Sequence, residues 1–168
     1  APGLNPTVTK TTIEEDLKRR DFTINTIAFE VSTKKIYDLY GGIADIKRKK
    51  LKLLHINSIS DDPSRLIRCA KYASRLGFNI SNSSLKQSQE AVGKWPWKCS
   101  GTHEKMIFPP AIGIRIRMEL AEIYKYDNLN SLVSIIHKWG IISILNKNIK
   151  VDKKFLRGLN WIKKLNGN

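Results

Sequence analysis

Asp61-Asp62-Pro63-Ser64-Arg65-Leu66-Ile67-Arg68-Cys69-Ala70-Lys71-Tyr72-Ala73-Ser74-Arg75-Leu76-Gly77-Phe78 is the stretch on which the reading of the fold turns. Proline just before a helix and glycine just past its end is the expected asymmetry of helix termini, so Ser64 to Leu76 is predicted helical. At ~100° per residue, Arg65, Arg68, Tyr72 and Arg75 fall in one sector, and Leu66, Ile67, Ala70 and Ala73 in another. The helix therefore has a core face and a separate cationic face. Asp61 and Asp62 stand just ahead of it, where the helix dipole favours carboxylates. Two readings follow from the pattern. Either the carboxylates cap a helix with a solvated basic face, or Asp62 and Arg65 offer an acceptor and donors to a base edge while Arg68 faces a phosphate.

Upstream, Pro2 to Val8 reads as the end of a strand. Thr12-Ile13-Glu14-Glu15 has capping-box spacing, which predicts a short helix from Ile13 towards Arg20. Ile27 to Val31 and Lys35 to Leu39 read as strands, Gly41-Gly42 as a turn, Ala44 to Lys50 as one or two helical turns, and Leu51 to Ile56 as a further strand. Downstream, helices are expected over Ser83 to Val92, Ala111 to Tyr126, Leu129 to Lys138 and within Asp152 to Leu165. Gly93 to Pro110, with Trp95-Pro96-Trp97 and Pro109-Pro110, is expected to be irregular. A small α/β start thus gives way near Asp61 to a helical remainder.

The 168 residues are 41% hydrophobic, enough for a packed core, and hold no run of ~20 apolar residues, so no membrane span is expected. Cys69 and Cys99 suit a reduced, cytoplasmic chain better than a disulfide framework. Cys99 and His103 could form half a zinc site, but no second pair stands near them and no metal site is expected. The start, Ala1-Pro2-Gly3-Leu4, reads as a chain cut from something longer. The formal net charge of +15 favours a polyanionic partner, with nucleic acid the commonest kind.

Arg19-Arg20-Asp21-Phe22-Thr23-Ile24-Asn25-Thr26-Ile27-Ala28 resembles motif B of class II tRNA nucleotidyltransferases and bacterial poly(A) polymerases. Asp38-Leu39-Tyr40-Gly41-Gly42-Ile43-Ala44-Asp45-Ile46 resembles motif C, Asp61 to Phe78 resembles motif D and its helix, and Arg115-Ile116-Arg117-Met118-Glu119-Leu120 is similar to the core of motif E. The likeness covers roughly Pro2 to Leu120. It implies an α+β, mostly helical fold: the remnant of a nucleotidyltransferase head with a short sheet, then an all-α neck and part of a body. The implied division is 1–60 as the rest of the head, 61–127 as the nucleotide-recognising neck, and 128–168 as the start of an RNA-binding body.

By resemblance, Asp21 contacts the ribose of the incoming nucleotide, and Arg20 and Asn25 support that pocket or the phosphates. Asp62 and Arg65 act as a protein template for CTP and ATP, and Arg68 reaches the triphosphate. Asp38, Gly41, Gly42 and Asp45 form a springy hinge between head and neck, and Arg115 and Glu119 brace the template helix. Asp61 stands where the family usually has Glu, and Ile114 where motif E often has Glu. The family's catalysis uses a Gly-Ser turn and an Asp-x-Asp pair holding magnesium ions, and no Asp-x-Asp occurs here. The expectation is therefore binding of nucleoside triphosphates and a tRNA 3′ end, with no catalytic residue and no Mg2+ ligand among these residues and no transfer by the chain alone.

Lys150, Lys153, Lys154, Arg157, Lys163 and Lys164 are the expected RNA-backbone contacts, a lysine-rich surface that binds phosphate without reading sequence; a merely solvated helix face has the same composition. Trp95 and Trp97 are read as anchors of the irregular segment, and His55, His137 and Trp139 as structural. The leading function is part of an enzyme adding CMP or AMP to tRNA. The alternatives are a poly(A) polymerase, an A-adding or CC-adding enzyme, or a non-catalytic RNA-binding helical protein.

Overall fold

The apolar sector of the central helix needs a partner surface, and the computed structural model supplies it from both chain directions. The structure describes residues 10–94, 110–121, 123, 128–145 and 148–166. The elements in order are α1 (Ile13–Lys18), a 3-10 turn (Thr23–Asn25), β1 (Ile27–Glu30), β2 (Lys35–Asp38), α2 (Gly42–Lys47), β3 (Lys50–Leu51) and α3 (Ser58–Asp61). After these come α4 (Ser64–Leu76), β4 (Asn79–Ile80), α5 (Asn82–Gly93), α6 (Pro110–Ala121), α7 (Leu129–Lys138), α8 (Ile142–Leu145) and α9 (Lys153–Asn166).

Helix α4 has the predicted bounds and ends at Gly77, whose φ of 65° is open to glycine without steric cost. Its inner residues Leu66, Ile67, Cys69, Ala70 and Ala73 lie in one core with Phe22, Leu51, Leu53 and Ile59 from upstream. Leu132, Ile136, Trp139, Ile141 and Ile144 join the same core from α7, α8 and the turn between them. Burial also pushes the Cys69 thiol well above its usual range, helped by the charge of Asp21.

Two short sheets carry the upstream part. β1 and β2 form an antiparallel hairpin in the register Ile27 to Asp38 and Glu30 to Lys35. β3 and β4 pair in parallel. The expected strand over Leu51 to Ile56 is cut short, because the backbone leaves β4 after Leu51 and turns to the other side of the chain. There Leu53 bridges Phe22, the Thr23 amide donates to the Lys52 carbonyl (3.0 Å), and the Leu54 amide to that of Asp21 (3.0 Å). That ladder fixes Asp21.

Helix α1 begins as the capping box predicts: the Glu15 amide donates to Thr12 Oγ1 (3.3 Å), and the Glu15 carboxylate accepts in return from the Thr12 backbone. Helix α6 is described to Ala121, and most of its expected continuation to Tyr126 lies outside the described residues; α9 starts after an Asp152 cap that accepts from the Phe155 amide (2.8 Å). Short α3 and α8, β4 and the 3-10 turn have no counterpart in the sequence reading. Pro2 to Val8, Trp95, Trp97, Cys99 and His103 lie outside the described residues. Of the histidines, His55 reaches the Lys18 carbonyl and His137 is exposed, whereas Trp139 is buried in the core.

The expected hinge is tightly stitched. Asp38 accepts from the amides of Gly42 (2.6 Å) and Ile43 (3.0 Å), and Thr23 Oγ1 donates to Asp45 (2.6 Å). The two glycines serve different ends: Gly41 has φ 73° with open space around it, while a Cβ on Gly42 would sit 2.9 Å from Ile27 Cγ1 and against the Thr23 carbonyl. Gly41→Ala should cost about 1–2 kcal/mol from the left-handed backbone alone. Gly42→Ala should cost at least as much, about 1–3 kcal/mol from overpacking, and should also loosen the 3-10 turn. Denaturant midpoints, with amide exchange at Thr26, which is bonded to the Thr23 carbonyl, separate the two effects.

Candidate nucleotide-binding cleft

A polar cleft of about 490 Å³ opens between the end of α1, the 3-10 turn and the outer face of α4. Arg19, Arg20, Asp21, Asn25, Arg65, Arg68 and Tyr72 line it. Five of these seven, Arg20, Asp21, Asn25, Arg65 and Arg68, are expected from the sequence. Arg19, beside Arg20 in the same stretch, and Tyr72, in the helix sector already assigned to Arg65 and Arg68, complete the lining. The Tyr72 ring packs edge-on against Phe22, with centroids 5.7 Å apart, and Arg75 lies over it at 5.3 Å.

Asp21 is 6% exposed and fully engaged. Its Oδ1 accepts from Asn25 Nδ2 (2.7 Å) and the Phe22 amide (3.0 Å), and its Oδ2 from Arg68 Nη1 (2.8 Å). The Arg68 guanidinium also reaches Glu119 Oε1 on α6 through Nε and Nη2, both at 3.0 Å. Lys71 Nζ takes the other Glu119 oxygen at 2.8 Å. Burial works against the Arg68 charge, but the hydrogen bonds to Asp21 and Glu119 outweigh it and hold the guanidinium above its ordinary value.

Asp62 does not line the cleft with Arg65. It is 8% exposed; its Oδ1 accepts from the Ser64 amide (3.0 Å) and Ser64 Oγ (2.6 Å), and its Oδ2 from Arg115 Nη1 (3.0 Å). The carboxylate thus caps α4, the plainer of the two roles open to it from its position, and pairs internally with α6. Arg65 instead donates to the Ser58 carbonyl (3.2 Å) and Oγ (3.3 Å). Ser58 could not be found from sequence, because it arrives through the unforeseen α3. Arg115 pairs with Asp62 just ahead of α4, and Glu119 with Arg68 and Lys71 on α4.

At the cleft mouth, Arg19 Nε (2.9 Å) and Arg20 Nη2 (2.5 Å) donate to Asp16 on α1. Hydrogen bonds first from Arg20 and then from Arg19 hold the Asp16 carboxyl below its ordinary value. Asp16 therefore steadies two otherwise exposed cationic arms. Among the described residues no three His, Cys, Asp or Glu side chains converge. No helix among the described residues is long and apolar enough to cross a membrane.

The expected RNA contacts are spread unevenly. Lys150, Lys153, Lys154, Arg157 and Lys164 are exposed and Lys163 is half-buried. At ~100° per residue, Lys153, Lys164, Arg157, Trp161 and Lys154 share one side of α9, and Lys163 points away from it. Trp161 is 64% exposed there.

Residues 2–52 match the family model described as the poly A polymerase head domain. An A-adding tRNA nucleotidyltransferase of Aquifex aeolicus is 28% identical over 98% of this chain, and a CC-adding tRNA nucleotidyltransferase of Deinococcus radiodurans is 37% identical over 54%. The chain spans only 19% and 25% of those relatives' lengths. A tRNA nucleotidyltransferase solved with a primer tRNA and an incoming ATP analog superimposes with a TM-score of 0.71 at 26% identity, over 94% of this chain and 44% of that one. A CCA-adding enzyme solved with CTP gives a TM-score of 0.73 at 25% identity, over 93% and 37%. The resemblance read from the motifs and the mostly helical α+β fold are both borne out.

Two outcomes test this geometry. Glu119→Gln should destabilise the chain by about 1.5–3 kcal/mol in chemical denaturation, since it weakens charged hydrogen bonds to both Arg68 and Lys71. The Asp16 carboxyl, followed by carbon-detected NMR, should titrate below a free aspartate and move up in Arg20→Gln. Because its folded value is depressed, its contribution to stability is present above the unfolded aspartate value, about 3.9, and is lost as pH falls through the lower folded value.

Proposed function

We propose that this chain, a relative of the tRNA nucleotidyltransferases, is the nucleotide- and RNA-binding portion of an enzyme that adds CMP or AMP to the tRNA 3′ end. The observation that carries the reading is the cleft, which gathers motif B and motif D residues around one polar space. Arg19, Arg20 and Arg65 present guanidinium donors suited to a triphosphate. Asp21 and Asn25 form the ribose-facing wall. Arg68, already bonded to Asp21 and Glu119, orients that wall and adds charge behind the phosphates.

Base reading by Asp62 and Arg65 requires one rearrangement in this proposal. The Asp62 carboxylate turns from Arg115 towards the ligand and exchanges one charged hydrogen bond for another. Arg115 and Glu119 hold α4 for that exchange. The cationic face of α9, within 128–168, lies along the RNA backbone. The reading places the protein with tRNA in the cytoplasm. CTP and ATP are the substrates, and the magnesium-dependent step draws on carboxylates that these residues do not offer.

The test has two arms. In equilibrium dialysis the chain should retain ATP or CTP. Arg65→Ala, which leaves the Asp62 cap intact, should weaken retention at least tenfold, and adding Asp62→Ala should abolish it. Undiminished retention in folded Arg65→Ala sinks the cleft reading. Incubated with tRNA, labelled ATP or CTP and magnesium, the 168-residue chain should add no label to the 3′ end, and extension would refute the division between binding and metal chemistry.

A further inference from the structure

Five of the six residues from Lys47 to Lys52 are basic: Lys47, Arg48, Lys49, Lys50 and Lys52. They occupy the turn from α2 into β3, and none of them lines the cleft. Lys47, Arg48, Lys49 and Lys52 are exposed and Lys50 is half-buried. Among the described residues none of the five is ion-paired, unlike Arg19, Arg20, Arg68, Lys71 and Arg115, each of which has a carboxylate partner.

The turn is also held in place. Lys49 has φ 52°, a left-handed residue at the corner, and its carbonyl accepts from the Asn79 amide at 2.9 Å. Lys50 pairs with Asn79 in the β3–β4 register. Two residues on, the Lys52 carbonyl accepts from Thr23, in the same ladder that fixes Asp21. The cations therefore sit on a backbone anchored on both sides, and little ordering entropy stands against their meeting a line of negative charge.

We infer that this turn is a second RNA-backbone site, separate from the cleft and from α9, that takes consecutive phosphates of the bound RNA. The inference rests on the tRNA reading for its choice of partner. Unpaired, closely spaced cations on a fixed turn fit a phosphate backbone, whose charges are regularly spaced and accessible. An anionic membrane fits less well: Leu51, the apolar residue of the segment, is buried, Ile46 just ahead of it is exposed alone, and surface-bound helices need a whole apolar face.

The experiment measures binding of a tRNA transcript to the 168-residue chain by fluorescence anisotropy across a salt series. Three proteins are compared: the parent, a turn variant with Lys47→Gln, Arg48→Gln, Lys49→Gln and Lys52→Gln, and a control with Lys10→Gln, Lys86→Gln, Lys94→Gln and Lys138→Gln. All eight positions are exposed, and each variant loses the same charge. The turn variant should lower the slope of log K against log salt by about 2 to 4, roughly one for each phosphate that is no longer neutralised, and the control by less than about 1. ATP retention should be the same in all three.

An unchanged slope in the turn variant, an equal loss in the control, or no tRNA binding by the parent overturns the site. So does a loss of binding to phosphatidylserine vesicles as large as the loss for tRNA. Absent ATP retention with the expected tRNA slopes sinks the cleft reading and leaves this one standing.

Discussion

One guanidinium holds the cleft in register. Arg68 stands on the outer face of α4 and bonds Asp21, fixed by the upstream ladder, and Glu119 on α6. Its planar fork places donors in fixed directions, so the two carboxylates cannot shift independently of α4. Lys71 supplies a second cation to Glu119, which gives two positive and two negative groups in a partly desolvated cluster. Such a cluster is stable while complete. Removing one member strands the opposite charge, a larger loss than the net worth of the pair.

That arrangement divides the labour among the arginines. Arg68 is committed to internal partners, and Arg115 is committed to Asp62. Among the described residues the Arg65 side chain is bonded only to neutral oxygens of Ser58, so a phosphate or base edge would displace no carboxylate described there. Arg19 and Arg20 share Asp16 at the surface, where solvent screening makes the exchange for a more highly charged phosphate inexpensive. The cleft thus combines a rigid charged floor with exchangeable cations above it.

The sequence was most legible where local chemistry alone decides the backbone. Helices α4 and α7 have their predicted bounds, and α1 begins at its capping box, because proline, glycine and Thr-x-x-Glu act over three or four residues. Five cleft residues were also legible, through motif order. What escaped was everything set by distant partners. The strand after Leu51 is short because Asn79 and Phe22 compete for its two sides, and Arg65 is oriented by Ser58, which a four-residue helix delivers. The pairing of Asp62 was undecided by local sequence, since a capping carboxylate and a ligand-reading carboxylate occupy the same position. Only Arg115, 53 residues away along the chain, separates them.

Helix α4 couples these levels because it is used on both faces. Its outer sector lines the cleft, and its inner sector packs on α7 within a core that also takes in α8 and the residues under β3. Helix α9 is tied to α7 through the hydrogen bond from Asn160 to Asn130 at 3.1 Å. Packing of α4 on residues before 60 and on α7 spans the expected borders near residues 60 and 127. A ligand that turned Asp62 away from Arg115 would give up one tie between the start of α4 and α6. It would leave Glu119 bonded to Arg68 and Lys71, and it would leave the apolar core on the inner face of α4 untouched. The tie between Asp62 and Arg115 is thus separable from the apolar packing that holds α4 to the rest of the structure.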